Sequence, residues 1–295
     1  MGVLTTMTPD FLFIGASKCA TTTITALLNQ HPDIFTPPHE VSFFARDDLY
    51  AKGIDWYRSL FTAAQLGQIK GENSNIYTMQ EIYPQAVERI RAYSTDLKLI
   101  YCVRDPFTRI ESYWLEIRSH GGEVVHHDFN TAIKLNRDWL IDASNYWQQI
   151  NAYRPYFSNE QILIIFFEDF KTNPHRVLRT CFEFLGVDPE ISIDTTLQMN
   201  PSATKTMPSP VLSKLRANPL YRASVQVLPR DLRDPLKKRL FFKPVSERPQ
   251  WQPETQQWVL EQLADDTQAL LNYCGKPLDY WSSFSQPAYS PIQHL

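Results

Sequence analysis

The chain has 295 residues, enough for one large domain or two small ones, and for a substantial buried core in either case. Hydrophobic residues make up 43% and charged residues 21%, an ordinary globular balance that excludes a disordered chain and a coiled coil. The net charge of −3 is unevenly spread: Lys205 to Arg248 holds eleven Lys/Arg and three Asp/Glu, leaving the remainder at about −11.

The first stretch with chemistry is Phe11 to Thr23, where the apolar run Phe11-Leu12-Phe13-Ile14 meets Gly15-Ala16-Ser17-Lys18-Cys19-Ala20 and then Thr21-Thr22-Thr23. It reads as strand, anion-binding loop, helix. Unpaired N–H groups at a helix start carry partial positive charge, so a phosphate or sulfate docks there, with Lys18 adding a point charge and the threonines further donors. The phosphate loop of ATP- and GTP-binding proteins needs a second glycine and then lysine, but those places hold Ala20 and Thr21 here, and the only lysine is the earlier Lys18.

The helix that follows should stop near His31-Pro32. Phe35 to Phe44 reads as an irregular loop stiffened by Pro37-Pro38 ahead of His39-Glu40, and Asp55 to Phe61 as a short amphipathic helix. Gln68 to Glu72 is a short strand, Pro84 to Tyr93 a helix, and Leu97 to Val103 the clearest buried strand. Asp105 and Pro106 suit the cap and first position of the next helix, which leaves Arg104 at the strand's C-terminal tip. Gly121 to Asp128 reads as a surface loop carrying His126-His127, a solvated pair with too few ligands for a metal.

An aromatic helix over Asn145 to Phe157 and an apolar strand over Gln161 to Phe167 follow. Next comes a helix capped at Asn173-Pro174 and ended by Gly186. Strands alternating with helices predict a parallel sheet with helices on both faces, with ligands beyond the carboxyl ends of the strands. Past Asn200 the pattern weakens until a last helix over Pro253 to Tyr273. The organisation is therefore one domain, 1–295, with its core at about 9–200 and a basic, proline-punctuated extension at about 201–295.

The four cysteines, Cys19, Cys102, Cys181 and Cys274, are widely spaced with no CxxC pair, which reads as reduced thiols. The first ten residues lack the regions of a signal peptide, and no apolar run reaches membrane-spanning length, so a cytoplasmic location is expected. No metal and no nucleic-acid partner is expected. The basic segment with Leu240-Phe241-Phe242 leaves peripheral contact with an anionic membrane open.

Three groups of residues carry a resemblance. The loop Ser17-Lys18-Cys19-Ala20-Thr21-Thr22-Thr23 resembles the 5′-phosphosulfate loop of sulfotransferases that use 3′-phosphoadenosine 5′-phosphosulfate (PAPS). Leu99 to Tyr113, with Arg104 and Ser112 eight positions apart, is similar to their 3′-phosphate segment. His39-Glu40-Val41-Ser42-Phe43-Phe44 resembles the Lys-Glu-x-x-Phe-Phe segment of the heparan-sulfate-type branch, with His39 in place of lysine. Gly71-Glu72-Asn73-Ser74-Asn75-Ile76-Tyr77 and Phe167-Glu168-Asp169-Phe170 complete the match, which runs from about Phe11 to Pro189.

The resemblance implies a P-loop-like three-layer α/β sandwich with a central, mainly parallel sheet. It implies PAPS as cosubstrate, held by Ser17 to Thr23 with Arg104 and Ser112, and in-line transfer of a sulfuryl group to a carbohydrate, lipid or small-metabolite hydroxyl or amine. Lys18 would stabilise the leaving 5′-phosphate, while Glu40, or His39 beside it, would take the acceptor's proton. A kinase on the same fold and a noncatalytic anion- or membrane-binding module are the rival readings. Glu168-Asp169 is expected to order neighbouring loops, and Arg109 and Arg118 read as surface charges.

Overall fold

The structure is a computed structural model and describes residues 8–119, 128–196, 206–208, 242–244 and 249–284. At its centre lies β1 (Phe11–Gly15), buried along its whole length. A continuous apolar run of this kind suits a strand covered on both faces, as parallel sheets require. β1 pairs in parallel with β3 (Ile69–Asn73) on one side and with β4 (Lys98–Val103) on the other. The short β2 (Ile34–Phe35) and β5 (Ile162–Phe166) close the edges, so the all-parallel order is β2-β3-β1-β4-β5.

Parallel neighbours need crossovers, and helices supply them. α1 (Thr21–Leu28) follows β1, α2 (Asp47–Tyr50) and α3 (Ile54–Ser59) precede β3, and α4 (Gln85–Tyr93) leads to β4. After β4 come α5 (Pro106–Ser119), α6 (Phe129–Leu135), α7 (Arg137–Leu140) and α8 (Tyr146–Asn151). α9 (Phe167–Thr172) and α10 (Pro174–Leu185) follow β5. The expected caps are in place: Asp105 Oδ1 accepts from Phe107 N at 2.9 Å, Asn173 accepts from Arg176 N, and Gly186 ends α10 at φ 82°.

Two readings of the sequence differ from the structure. The aromatic helix stops at Asn151 and continues as turns, because Pro155 bars helical geometry at the residue before it. Phe35, placed in a loop from sequence, belongs to the edge strand β2, a two-residue element too short to leave a period. α11 (Pro253–Tyr273) docks onto the core through Val259 and Leu263, and Asp266 accepts from the backbone N–H groups of Trp147 and Gln148 at 2.9 and 2.7 Å. Residues 249–284 of the expected extension are thus packed on the sheet domain. β6 (Thr206–Pro208) and β7 (Phe242–Pro244) form a separate antiparallel pair. His126-His127 and, apart from those two strands, the basic segment with Leu240-Phe241 lie outside the described residues. No described helix is long and apolar enough to cross a membrane, and all four cysteines are free.

Candidate active site

The loop after β1 is shaped by backbone conformations that few residues tolerate. Gly15 has φ 147°, and a Cβ there would collide with Thr78 Oγ1, so only glycine fits. Lys18 and Ala20 stand at φ 72° and 61°, in the left-handed region. Alanine adopts this conformation at a cost of about 1–2 kcal/mol, which glycine would not bear. Ala20 is the N-cap of α1 and offers no side-chain acceptor. The backbone donors and partial positive charge at the start of α1 suit an anion. Cys19 is fully buried and burial pushes its thiol up to about 11, so it packs the loop from beneath and is no nucleophile.

Three side chains of the β4–α5 segment grip this loop. Arg104, at the β4 tip, donates from one terminal nitrogen to Lys18 O at 3.2 Å and from Nε to Thr108 Oγ1 at 2.9 Å, while its guanidinium stacks on Phe167 at 4.6 Å. Arg109 donates from Nε to Ser17 O at 3.1 Å and from a terminal nitrogen to Ser144 Oγ at 2.8 Å. It is 0% exposed, which corrects its reading as a surface charge: five fixed donors can satisfy several carbonyls at once, and the loop and the α7 end provide them. Arg118 is half-buried, over the Trp114 ring at 4.5 Å, and is likewise no free surface charge. Glu116 pairs with Lys18, Oε2 to Nζ at 2.6 Å. Arg109, Ser112 and Glu116 follow helical spacing, so buried Ser112 shares the face of α5 that meets the loop.

The opposite wall comes from the chain after β3. Ser17 Oγ donates to Asn75 Oδ1 at 2.8 Å, and Asn75 Nδ2 donates to Glu40 Oε1 at 2.6 Å. The anion loop and Glu40 are thus joined through one amide. Glu40 is exposed as a residue, yet its carboxyl end is crowded against Asn75; lost hydration raises its pKa above the ordinary carboxylate range, Lys18 pulls it back and Glu116 adds to the rise. His39 is exposed beside it, and its ring makes no hydrogen bond with a described residue.

Glu168 and Asp169 order the strand tips, as expected from sequence. Glu168 accepts from Asp105 N at 2.9 Å and from Trp281 Nε1 at 3.0 Å, and Asp169 holds Lys276 and Tyr280 at 2.7 Å each. Ser283 Oγ closes the same cluster on Asp105 Oδ2 at 2.7 Å. The structure therefore gathers Ser17 to Thr23, Glu40, Arg104 and Ser112 around one loop. Sequence reasoning missed Glu116, Asn75 and the clamping role of Arg109. The helical spacing from Arg109 through Ser112 to Glu116 was the available signal for two of them.

Comparison with known proteins identifies the family and the fold. A family profile described as "Sulfotransferase domain" matches residues 8–222. Mouse (Mus musculus) heparan sulfate glucosamine 3-O-sulfotransferase 5 is 30% identical over 193 residues, covering 62% of this chain and 55% of the relative. Mouse heparan sulfate glucosamine 3-O-sulfotransferase 3B1 is 31% identical over 185 residues, covering 61% and 46%. The chain thus spans about half the length of these curated relatives. Among solved structures, a sulfotransferase from Alicyclobacillus acidocaldarius superposes with a TM-score of 0.65 at 22% identity, over 93% of this chain and 99% of that one, which establishes the shared fold. With the profile covering well over half of its length, the chain belongs to the sulfotransferase domain family.

Proposed function

We propose that this chain is a PAPS-dependent sulfotransferase that moves a sulfuryl group to a hydroxyl or amine of a glycan acceptor. One observation carries the reading: the same loop is held on one side by Arg104 and tied on the other, through Asn75, to Glu40. A group bound at the loop would thus meet cationic donors and a carboxylate base together. The names of the heparan sulfate relatives favour a carbohydrate acceptor.

The donor set fits the cosubstrate. The start of α1 with Lys18 would hold the 5′-phosphate end. Arg104 and Ser112 would hold the 3′-phosphate, the guanidinium fork matching a phosphate edge. PAPS supplies the sulfuryl group, whose bond to the 5′-phosphate oxygen breaks as the bond from sulfur to the acceptor forms. Lys18 would neutralise charge at the departing oxygen, its ammonium having three donors to divide between that oxygen and Glu116. Glu40 accepts the acceptor's proton, with Asn75 fixing the direction of its carboxylate. Because its pKa is raised, the acid limb of activity should fall above the ordinary carboxylate range.

Glu40→Gln should abolish transfer of radiolabelled sulfate from PAPS to a heparan sulfate oligosaccharide while leaving affinity for 3′-phosphoadenosine 5′-phosphate (PAP) unchanged. Wild-type turnover in that variant would remove Glu40 from the mechanism and leave His39 as the base.

A further inference from the structure

The segment that carries Glu40 has little regular structure of its own, yet its amides are held: Val41 N donates to the backbone at Asn73 O at 3.3 Å, and two others meet side-chain hydroxyls. Ser42 N donates to Ser74 Oγ at 2.7 Å, and Phe44 N donates to Tyr77 OH at 3.2 Å. Each of those hydroxyls gives its single proton to the same carboxylate: Ser74 Oγ to Glu72 Oε2 at 2.6 Å, and Tyr77 OH to Glu72 Oε1 at 2.7 Å. Tyr57 OH adds a third donor at 3.0 Å. Glu72 is 0% exposed, and no assigned role requires a buried acid at the end of β3.

The polarity of this network follows from the carboxylate. A hydroxyl has one proton, so committing it inward leaves only lone pairs facing the loop, where they can accept from amides alone. Ser42 has φ 55°, a conformation costly for a residue with a Cβ and kept only where surroundings over-determine it. The rings reinforce the same contact: Phe43 stacks on Tyr57 with centroids 4.5 Å apart, and Phe44 lies 5.0 Å from Tyr57 and 5.9 Å from Tyr77. Burial lifts Glu72 to about 7, with the three hydroxyls holding it down and Glu40 pushing it further up.

We propose that Glu72 is a positioning residue for the base: through Ser74 and Tyr77 it orients two backbone amides of the loop that presents Glu40 to the acceptor. The inference rests on Glu40 being the base. Tyr57 touches the carboxylate but neither amide, so it separates loop positioning from general stability.

Hydrogen exchange at the Ser42 and Phe44 amides and steady-state kinetics with PAPS and a heparan sulfate oligosaccharide, read together on Ser74→Ala, Tyr77→Phe, Glu72→Gln and Tyr57→Phe, test it. Losing one such bond, worth about 1 kcal/mol, should speed exchange of the matching amide roughly 5- to 10-fold in Ser74→Ala and Tyr77→Phe. In both variants kcat should fall by a similar factor with KM for PAPS unchanged, and Glu72→Gln, which keeps one of the two acceptor oxygens, should free at least one of the amides yet add nothing in a Glu40→Gln background. Tyr57→Phe should leave amides and kcat as in the wild type. Wild-type exchange in Ser74→Ala and Tyr77→Phe, or equal losses in Tyr57→Phe, overturns the inference. The exchange arm needs no turnover, so wild-type protein that transfers nothing from PAPS defeats the proposed function while exchange still decides the role of Glu72.

Discussion

The two walls of the site are built in different ways. The anion loop is held mainly through its backbone: Gly15, Lys18 and Ala20 take positive φ, carbonyls of Ser17 and Lys18 point at arginines, and the Lys18–Glu116 ion pair is partly solvated. The Glu40 loop has one backbone bond, Val41 N to Asn73 O, and is otherwise held by side chains, with amides bound to hydroxyls that converge on one buried carboxylate. On the proposed function, the wall that would bind a multiply charged group presents N–H donors and a lysine, and the wall that would aim a single proton acceptor is pinned by short, directional bonds. The difference teaches which changes should alter chemistry and which should alter only stability.

The largest effect is expected at the loop's lysine. Lys18→Ala should lower kcat by about 100- to 1,000-fold, the usual loss when a group stabilising developing charge is removed. It should leave thermal stability nearly unchanged, since its ion pair is partly exposed. A fall in kcat of less than tenfold would move the catalytic cation elsewhere. Next comes Arg109, which bonds only protein. Arg109→Met should destabilise the fold by about 3 kcal/mol, because buried carbonyls on the loop and near α7 lose their donor. Denaturant unfolding measures this, and an unchanged midpoint would show that the loop holds its shape without the clamp.

The base wall makes a pH prediction with a definite sign. Glu72 sits at about 7 in the folded protein against about 4.5 when unfolded. Between those values the folded state keeps a proton the unfolded state releases, so stability falls as pH rises through this window and levels off above it. Asp266, lifted by burial to about 6, acts in the same direction. Glu72→Gln should flatten part of the slope in melting temperature from pH 4.5 to 7, and an identical slope in the variant would contradict the buried-acid assignment. The smallest effect belongs to the loop backbone: Ala20→Gly should stabilise by about 0.5–1 kcal/mol, relief of the left-handed conformation exceeding the added chain entropy. A lowered melting temperature would count against that conformation.

The parts legible in sequence were those carried by local pattern. β1, β4 and β5 appear as apolar runs, Asp105-Pro106 and Asn173-Pro174 announce helix starts, and Gly186 announces a helix end. The loop from Ser17 to Thr23 and Arg104 were legible because each sits where a strand gives way to a polar turn, whereas Glu40 stood out only through the resemblance of His39 to Phe44 to the Lys-Glu-x-x-Phe-Phe segment. What stayed hidden were partners joined only by folding. Glu116 meets Lys18 across 98 positions, and Arg109 meets Ser17 across 92, so neither pairing leaves a short-range mark. Arg109 in a helix reads as a solvated charge until the carbonyls around it are known. Glu72, beside a glycine at a strand end, looks like turn chemistry, and only the arrival of Tyr57, Tyr77 and Ser74 makes it a hub.

The central claim is that a PAPS-type nucleotide is held at both ends, with Lys18 and its loop on the 5′-phosphate and Arg104 on the 3′-phosphate. Calorimetric titration of the wild type and of Arg104→Ala with PAP, and separately with ATP and magnesium, tests it most directly. The account predicts that PAP binds without added metal, that Arg104→Ala weakens it by about 10- to 100-fold, and that ATP with magnesium binds far more weakly. Preference for ATP with magnesium, or PAP affinity indifferent to Arg104, would contradict it.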